Sequence, residues 1–570
     1  MIRYLFLFAI LTLSLESPAQ TKVEIFQDDN LVHDFIGIDS LDIHRKKQEF
    51  LYAAFNDGYL FARLETDSVS PMYESYSYFP LHKVFLKELQ AGNAESEVLK
   101  KLRLSSKKMK KKQSLGLTMI DEWTNKIITY YEENGYPFCK VSLNVSEVGN
   151  ASVVAGWNID KGPAIIFDSI IMKGDYRPSD KFVGNWLGIE RGELYDERKI
   201  KMINDRIKMS DIASQSNPFN VFFSGEKARI YLFLKKKKSS SFDGILGFAP
   251  DPDNPAKLLF NGDIFLKINN SFNHGEKLLL QWKNSGEGTQ EVKISASYPF
   301  IAGLPLGLNG SLEIFKKDTS WVKSTQRYGI SYFSGVRNES SLFYERNENR
   351  VIARSIYENA SVLPQVADSR STFTGLQFTS LKADDIIVPR RGFSFSAEIA
   401  LGQKEILKNE AADENLYDSL QLQSSVFRMK SDFHYYIPIR KAWHLMLRNY
   451  SGIIESTSLF QNDAFLLGGL QTLRGFDEKS IAATQYSVFT TELRFFLEQR
   501  SYINLFSDFA WARAFESTGI TNKRYLSAGA GISFSTRAGI FSIFYALGKE
   551  GSQSFSIKNG KIHFGVVTVF

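Results

Sequence analysis

The chain is 570 residues long, with 14% aromatic side chains, 39 glycines, 15 prolines, a mean hydropathy of −0.20 and a net charge of +6. This length is too great for one ordinary core and predicts several domains. The composition is typical of a strand-rich, moderately polar protein and excludes a helical membrane protein. The charge is mild and the sequence carries no nucleic-acid-binding motif, so no nucleic acid is expected as a partner.

The first residues have the layout of a secretory signal peptide. Arg3 is followed by an apolar run from Tyr4 to Leu15 and by the small residues Ser17 to Ala19, before Gln20. We therefore predict a cleaved signal over residues 1–19, because the apolar run is too short to span a bilayer; a retained anchor is the alternative. No uncharged run of about 18 apolar residues follows, so no transmembrane helix is expected.

The N-terminal third repeats one pattern of helix, glycine stop and strand. Ser40–Asn56 has apolar residues at helical spacing, Gly58 ends the helix, and Tyr59–Leu64 alternates like a strand. The pattern returns with a helix over Met119–Glu133 and a strand after Gly135, and the segments NDGYLFARL and ENGYPFCKV match. Such a match indicates an internal repeat.

A third, fainter copy carries the complete order of elements. Phe167–Gly174 predicts a strand, Ser179–Leu187 and Tyr195–Met209 predict helices, and Phe219–Phe223 and Ala228–Leu234 predict two more strands. The order β-α-α-β-β gives a small sheet covered on one face by two helices, which resembles the POTRA domain. We place the copies at residues 20–80, 81–163 and 164–238. Two copies behind a divergent N-terminal extension are the alternative.

The edge strands of such units can bind a segment of another protein. An edge strand with unpaired N–H and C=O groups can accept an extended peptide, largely without reading its sequence. The alternative is that the repeats are only spacers.

The one cysteine and two lysine runs also fall in this part of the chain. Cys139 excludes an internal disulfide and lies in a strand pattern, so we expect a small core residue. Lys107–Lys112 and Lys235–Lys238 are basic runs that we interpret as solvated linker. Contact between the second run and anionic lipid headgroups is a further hypothesis, because this run precedes the membrane-like segment.

From Ser241 the helical pattern gives way to sixteen runs of alternating residues. An even number of strands suits an antiparallel barrel, which leaves no open edge in lipid, so we predict a 16-stranded transmembrane barrel over residues 241–570. In Arg524–Thr536, Leu526 and Phe534 share one face and Ser527 the other, so one face suits acyl chains and the other a wet lumen. A soluble β-sandwich is disfavoured because its connections would not alternate so consistently between short and long. The runs are Phe242–Pro250, Lys257–Asn270, Glu276–Gly286, Gln290–Phe300, Pro305–Asp318, Thr325–Gly335, Glu339–Arg350, Thr372–Asp384, Phe393–Lys404, Ser424–Pro438, Ala442–Glu455, Gln485–Gln499, Tyr502–Ala514, Arg524–Thr536, Ala538–Glu550 and Gly560–Phe570.

Residues 456–484 connect the eleventh and twelfth predicted strands and contain the sequence FLLGGLQTLRGF. Gly468, Gly469 and Gly475 let the backbone fold back tightly. The Arg474 guanidinium offers five donors in a fixed fork, which suits a buried carboxylate. An exposed glycine-rich turn with a solvated arginine is the alternative.

These features together resemble the BamA/TamA-type superfamily of outer-membrane protein assembly and translocation factors, in which POTRA domains precede a sixteen-stranded bacterial surface antigen barrel. The resemblance implies that the loop folds into the lumen and that Arg474 contacts Glu492 and Asp508 on the next two strands. A period of two also places both carboxylates on the lumen face. Ala510 departs from the family's glycine near this point. The loop motif is matched by Leu473, Arg474, Gly475 and Phe476.

The two ends of the predicted barrel also resemble the family. The last run, KIHFGVVTVF, places Phe564, Val566 and Phe570 on one face, like the C-terminal signal that directs barrel insertion; Thr568 is a departure. The resemblance implies a weak seam between the first and last strands, and Gly244 in the first run would weaken its ladder. Easing of barrel curvature is a blander explanation for such a glycine.

The sequence therefore predicts an outer-membrane factor that captures client strands on POTRA edges and inserts or translocates them at the barrel seam, without a nucleotide. The N-terminal domains are expected in the periplasm. Expected partners are client outer-membrane or secreted proteins and outer-membrane lipid, with an envelope-spanning inner-membrane protein as an option. The alternatives are a two-partner secretion transporter of the haemolysin activator type and, from another class, a passive porin.

No catalytic constellation is recognisable in the sequence. The seven histidines are scattered, without HExxH or Cys/His spacing, so no metal or cofactor site is expected. A Gly-x-Ser-x-Gly elbow and a phosphate-binding P-loop are also missing. We therefore do not expect an enzyme.

Overall fold

Three small α/β modules precede a large antiparallel sheet in the computed structural model. The chain divides into two compact units: the first runs up to Phe167 and includes residues 192–198 and 223–228, and the second contains the rest. Residues 1–19, which include the predicted signal, lie outside the described residues. None of the helices described is both long and apolar enough to cross a membrane. The structure describes residues 20–105, 113–148, 151–210, 212–237, 239–250, 258–284, 288–334, 337–358, 360, 362–385, 387–517, 519–536 and 539–567.

The first module differs from the predicted order because a second strand takes the place of the first helix. Asp28 and Asp29 both have positive φ, 49° and 60°, and form a two-residue hairpin turn between the first two strands. The strand predicted from Tyr59 begins only at Arg63, because residues 57–62 form a turn after the helix. The elements are β1 (Thr21–Gln27), β2 (Asn30–Gly37), α1 (Ser40–Asn56), β3 (Arg63–Ser70) and β4 (Tyr73–Phe79), in the sheet order β2-β1-β4-β3.

The second module contains the predicted two helices and one additional two-residue strand. Its core collects the inner face of the longer helix, with Trp123, Ile127 and Tyr131 buried against Trp157 of the sheet. Cys139 is buried in the same core. The elements are β5 (Phe85–Gln90), α2 (Ser96–Lys101), β6 (Gln113–Ser114), α3 (Leu117–Glu132), β7 (Lys140–Val148) and β8 (Ser152–Asp160), in the sheet order β6-β5-β8-β7.

The third module has the predicted order β-α-α-β-β. Ser179 caps its first helix by accepting a hydrogen bond from the backbone N–H of Phe182, and Gly188 ends it in the left-handed region with φ of 62°. The elements are β9 (Ile166–Gly174), α4 (Asp180–Leu187), α5 (Glu197–Lys208), β10 (Ala213–Ser224) and β11 (Lys227–Lys236), in the sheet order β10-β11-β9.

All sixteen predicted barrel strands are present, and one short strand is added inside the long loop. Each strand pairs antiparallel with its neighbour in chain order, and β22 pairs with both β21 and β24. The strands are β12 (Ser241–Pro250), β13 (Leu258–Asn269), β14 (Lys277–Asn284), β15 (Gln290–Tyr298), β16 (Leu306–Lys317), β17 (Trp321–Ser334), β18 (Asn338–Val351), β19 (Ser369–Ala383), β20 (Gly392–Ile406), β21 (Gln423–Pro438), β22 (Trp443–Ser456), β23 (Phe465–Leu467), β24 (Ile481–Phe496), β25 (Tyr502–Glu516), β26 (Gly519–Ser535), β27 (Ile540–Glu550) and β28 (Lys561–Val567).

The two faces of the sheet follow the predicted alternation. On β26, Ser527 is fully buried and Tyr525 nearly so, whereas Ile532 and Phe534 on the other face are exposed. Exposed Leu, Ile, Phe and Tyr side chains recur on this outer face along the neighbouring strands, so the outer face is the apolar one. The predicted division of this strand into an apolar outer face and an inner face is therefore confirmed.

Contacts of the long loop show that the sheet curves round it. Lys479 in the loop lies 2.6 Å from Glu291 on β15, and Asp477, two residues away, lies 2.7 Å from Lys561 on β28. A loop can reach both the fourth and the last strand only if the sheet wraps round it. Within the described residues, the hydrogen-bonded ladder begins at β12 and ends at β28, and no pairing joins these two strands.

Burial of Cys139 makes a prediction about its reactivity. Burial raises the pKa of the Cys139 thiol to about 11, so at neutral pH the reactive thiolate is about a hundredfold scarcer than for an ordinary exposed cysteine. We expect maleimide to label the native protein at least about a hundredfold more slowly than the protein in denaturant. Equal labelling rates in the two conditions would contradict the buried position.

Candidate functional site in the barrel lumen

The loop between β22 and β24 folds back on itself inside the barrel. Its middle part contains β23, which pairs with the beginning of β24 through Phe465 and Ala483. Gly468 has φ of 111°, and a Cβ added there would lie 2.1 Å from the carbonyl oxygen of Asp477, so the two arms of the loop touch. Only glycine permits both this φ and this close approach.

Arg474 lies between the two predicted carboxylates. Its Nε and Nη2 donate to the two oxygens of Asp508 at 2.9 and 2.6 Å, and its Nη1 donates to Glu492 at 3.2 Å. The backbone N–H of Arg474 also donates to Asp508, at 3.2 Å. All three residues are buried, with exposed fractions of 6%, 3% and 1% for Arg474, Glu492 and Asp508. The arginine fork therefore meets Asp508 through two parallel hydrogen bonds, the geometry that guanidinium favours.

The carboxylates keep other partners that hold them in place. Thr490 donates to Asp508 at 2.8 Å, and Arg494 donates to the second oxygen of Glu492 at 2.9 Å. Two carboxylates thus face two guanidiniums, and the buried charges balance. Removing one member of such a cluster leaves a buried charge without a partner, which typically costs about 3–5 kcal/mol.

The residues on either side of Arg474 pack against the same wall. Leu473 is fully buried in a cluster with Ala510 and Tyr525, and the ring of Phe476 meets that of Tyr525 edge to face at 5.3 Å. Ala510, the departure from the family's glycine, is itself fully buried in this cluster. The guanidinium of Arg474 also lies over the ring of Phe506, with 3.5 Å between the Cζ atom and the ring centroid.

The loop also contacts the last two strands of the barrel. The backbone N–H of Gly475 donates to Nε2 of His563 on β28 at 3.1 Å. Gly475 and Gly548 of β27 touch so closely that a Cβ on Gly548 would lie 2.5 Å from the Gly475 carbonyl oxygen. The loop therefore rests directly on the inner face of the terminal hairpin.

A second anchor of the loop was not predicted from the sequence. Asp463, just before β23, pairs with the buried Lys404 of β20. Asp463 also accepts hydrogen bonds from Asn349 at 2.9 Å and Ser369 at 3.1 Å. The available signal was Lys404, a lysine on the lumen face of a predicted strand, but nothing in the sequence identified its partner.

A separate ionic cluster occupies the opposite arc of the lumen wall. Arg428 of β21 donates to Glu345 of β18 at 2.5 and 3.0 Å and to Glu398 of β20 at 3.0 Å. Arg327 of β17 reaches Glu398 at 2.7 Å. Sequence reasoning did not single out these residues either, because their pairing depends on the barrel's register.

The residues of the predicted C-terminal signal are partly described. Phe564 on β28 is 72% exposed, on the outer face that also carries Ile562. Val566 belongs to β28, which the structure describes as far as Val567. Phe570 lies outside the described residues.

A polar lumen, an inward loop held by ions and an apolar outer face define a membrane β-barrel that carries periplasm-type modules. A family model described as the Omp85 superfamily domain matches residues 270–570. The chain belongs to the Omp85 superfamily, and the resemblance predicted from its sequence is confirmed at that level. Membership supports an outer-membrane location and a role in inserting or translocating proteins there.

Solved structures similar to this chain include two CdiB proteins and one BamA. CdiB from Acinetobacter baumannii is 12% identical, with 85% of this chain and 89% of that chain covered and a TM-score of 0.54. CdiB from Escherichia coli is 14% identical, with coverages of 93% and 98% and a TM-score of 0.52. BamA from Haemophilus ducreyi lacking POTRA domains 1–3 is 15% identical, with coverages of 84% and 98% and a TM-score of 0.43. Among curated proteins, none is significantly similar in sequence to this chain.

Two ion pairs of the loop differ in how deeply they are buried. We expect the loss of each pair to destabilise the barrel to a different extent. Arg474→Ala should lower the stability of the barrel by about 3–5 kcal/mol, because it leaves the buried carboxylate of Asp508 without its cation. Asp477→Asn, in the same loop, breaks a pair whose side chains are 71% and 40% exposed, and should cost less than about 1 kcal/mol.

The measurement is the urea concentration at which the heat-modifiable folded band is lost on electrophoresis. Arg440→Ala, in an exposed turn, serves as the control for loss of an arginine. Equal stability of the Arg474 and Asp477 variants would contradict the buried-cluster interpretation.

Proposed function

We propose that this protein inserts or translocates client proteins at the outer membrane, in the manner of the BamA and TamA branch of its superfamily. In this proposal the modules are three POTRA units at residues 20–80, 81–163 and 164–238, facing the periplasm, and clients pass at the junction of β12 and β28. The observation that carries the proposal is the contact between the inward loop and the terminal hairpin, beside a junction that has no pairing among the described residues.

The loop contacts support a bracing role for the buried cluster. Arg474 fixes the loop to β24 and β25, while Gly475, the next residue, bonds to His563 on β28. Because the two contacts are adjacent in the chain, movement of the loop and movement of the last strand are coupled. A seam held from inside in this way could open for an incoming strand and close again afterwards.

Edge strands of the modules support client capture. In the first module β2 pairs only with β1, and its other edge has no strand neighbour among the described residues. Unpaired backbone groups on such an edge can add a strand from an extended client by β-augmentation. Outer-membrane lipid is the second expected partner, at the exposed apolar face.

The two alternative functions, a passive porin and a two-partner secretion transporter, have less support. A passive porin needs an open lumen, whereas here the loop crosses the lumen from β25 to β15 and β28. A two-partner secretion transporter is favoured by the shared fold of the two CdiB proteins, although such transporters usually carry a plug helix. Here α1 packs into its own module, with Ile43 buried against Val23 and Ile25, which argues against a plug.

Tethering the loop to the last strand should stop client insertion. In the variant carrying Asp477→Cys and Lys561→Cys, a bismaleimide with a cleavable disulfide spacer would fix the seam strand to the loop. We expect proteoliposomes of the tethered protein to lose insertion of a urea-denatured β-barrel client, and reduction to restore it.

The matched control tethers the same loop through Lys479→Cys and Glu291→Cys, on β15, which leaves β28 free. Equal insertion by tethered and reduced Asp477/Lys561 protein would contradict the coupling. The buried Cys139 should not compete for the reagent.

Loss of the protein from its cells should separate the three candidate functions. Depletion is expected to lower the levels of several unrelated outer-membrane barrels, measured by quantitative proteomics of the membrane fraction. Loss of a single secreted exoprotein with normal barrels would favour two-partner secretion. A large, steady conductance of the purified protein in planar bilayers would favour a porin.

A further inference from the structure

Among the residues that the structure describes, the buried cation Arg206 has no carboxylate partner. It lies on α5, is 8% exposed, and its hydrogen bond runs from Nη1 to the carbonyl oxygen of Trp186 at 3.0 Å. Its Nε is buried and has no hydrogen-bond partner within the described part of the chain. Burial lowers the pKa of the Arg206 side chain. A guanidinium has five donors, so most of those on Arg206 are not used by any described residue.

Capping of the end of α4 accounts for only part of the surroundings of Arg206. The Trp186 carbonyl belongs to the last turn of α4, where a cation interacts favourably with the end of the helix dipole. A Cβ on Gly188 would lie 2.7 Å from Nη1, so the guanidinium packs tightly on the helix end. One carbonyl does not replace the water lost by a whole guanidinium, and no second partner is present within the described residues.

Arg206 lines a cavity of about 660 Å³ whose walls combine a group of aromatic rings with polar and charged side chains. The aromatic part of the wall comes from α4, from the barrel turn before β16 and from the end of β17, through Phe182, Trp186, Phe300 and Phe333. The rings of Phe182 and Phe300 meet at 5.6 Å, and those of Phe300 and Phe333 at 5.4 Å. Other charged residues around the cavity have partners of their own. The site thus offers one cationic group that has no counter-ion among the described residues, beside a group of aromatic rings.

The surroundings of the cavity point to the bilayer as the source of its ligand. The same barrel turns carry the exposed apolar residues Phe272 and Leu304, with 76% and 52% of their surfaces exposed. Turns at the ends of membrane-spanning strands lie at the interface between the acyl chains and the headgroups. Lys236 reaches Asn273 in one of these turns at 3.1 Å, so part of the basic run Lys235–Lys238 lies beside the same region.

We infer that the cavity beside Arg206 binds an anionic membrane lipid, with the phosphate on the guanidinium and apolar groups against the aromatic wall. The inference goes beyond the proposed function, because it requires only that the barrel lies in a membrane. It assigns a role to Trp186 and Phe300 as well, since their rings form the surface that the apolar part of the lipid would cover.

Quenching of Trp186 tests the site in the full-length protein. The protein is placed in nanodiscs of phosphatidylglycerol or phosphatidylcholine brominated in the acyl chains, and Trp186→Phe supplies the background of the other tryptophans. We expect the Trp186 signal to be quenched at least twofold more in phosphatidylglycerol. Dodecyl phosphate should displace the brominated lipid, and inorganic phosphate should not.

Substitutions of Arg206 test whether its charge causes the preference for phosphatidylglycerol. Arg206→Met, which keeps a long apolar side chain, should abolish the preference for phosphatidylglycerol, whereas Lys208→Met, an exposed charge on the same helix, should retain it. If Arg206→Met fails to fold, Arg206→Lys decides, because a charge at the same place should keep most of the preference.

Three results would overturn the inference. These are equal quenching by the two lipids in the wild type, an unchanged preference in Arg206→Met, and a lost preference in Arg206→Lys. Displacement of the lipid by a peptide ending in phenylalanine carboxylate, but not by dodecyl phosphate, would reassign the cavity to a protein terminus.

Discussion

The structure depends on one buried arginine that joins a loop to a membrane-embedded wall. Inside the barrel, the charge of Arg474 is neutralised by Asp508 and shared with Glu492, which also neutralises Arg494. Moving the loop away would leave three charges with fewer partners in a poorly hydrated place, and this penalty holds the loop inside. A buried ion pair adds little stability compared with an apolar core, but it specifies one position of the loop.

In that position the loop contacts several different strands of the barrel. Gly475, next to the arginine, contacts β28, and Gly468 and Gly469 fold the loop so that Asp477 and Lys479 reach different strands. The loop therefore connects the rigid wall of β24 and β25 to the terminal hairpin. Asp463 and Lys404 hold its other arm, so the loop is anchored to the wall at both ends.

Much of the barrel was predictable from the sequence because each strand has two constrained faces. Alternation such as that of Leu526 and Ser527 reports lipid on one side and lumen on the other, and this fixed all sixteen strands to within a few residues. The modules were harder, because a two-residue turn at Asp28 and Asp29 replaced a helix with a strand, and a short aspartate turn is a weak local signal.

The candidate site was predictable only in part, for a related reason. Arg474, Glu492 and Asp508 could be named because their local segments resemble a known loop and its wall. Asp463 and Lys404 are far apart in the chain and belong to no local motif, so their pairing is a product of the barrel's register. Arg206 had no sequence signal, because a helical arginine is ordinarily exposed and its burial arises from packing.

The most direct test of the central claim is a double-mutant cycle between the loop and the wall. Arg474→Met, Asp508→Leu and the double variant are compared by urea unfolding of the barrel in one lipid composition. The buried pair predicts that the double variant is less destabilised than the sum of the single variants, by about 1–3 kcal/mol. Additivity to within about 0.5 kcal/mol would mean that the two residues do not interact, and would contradict the anchored loop.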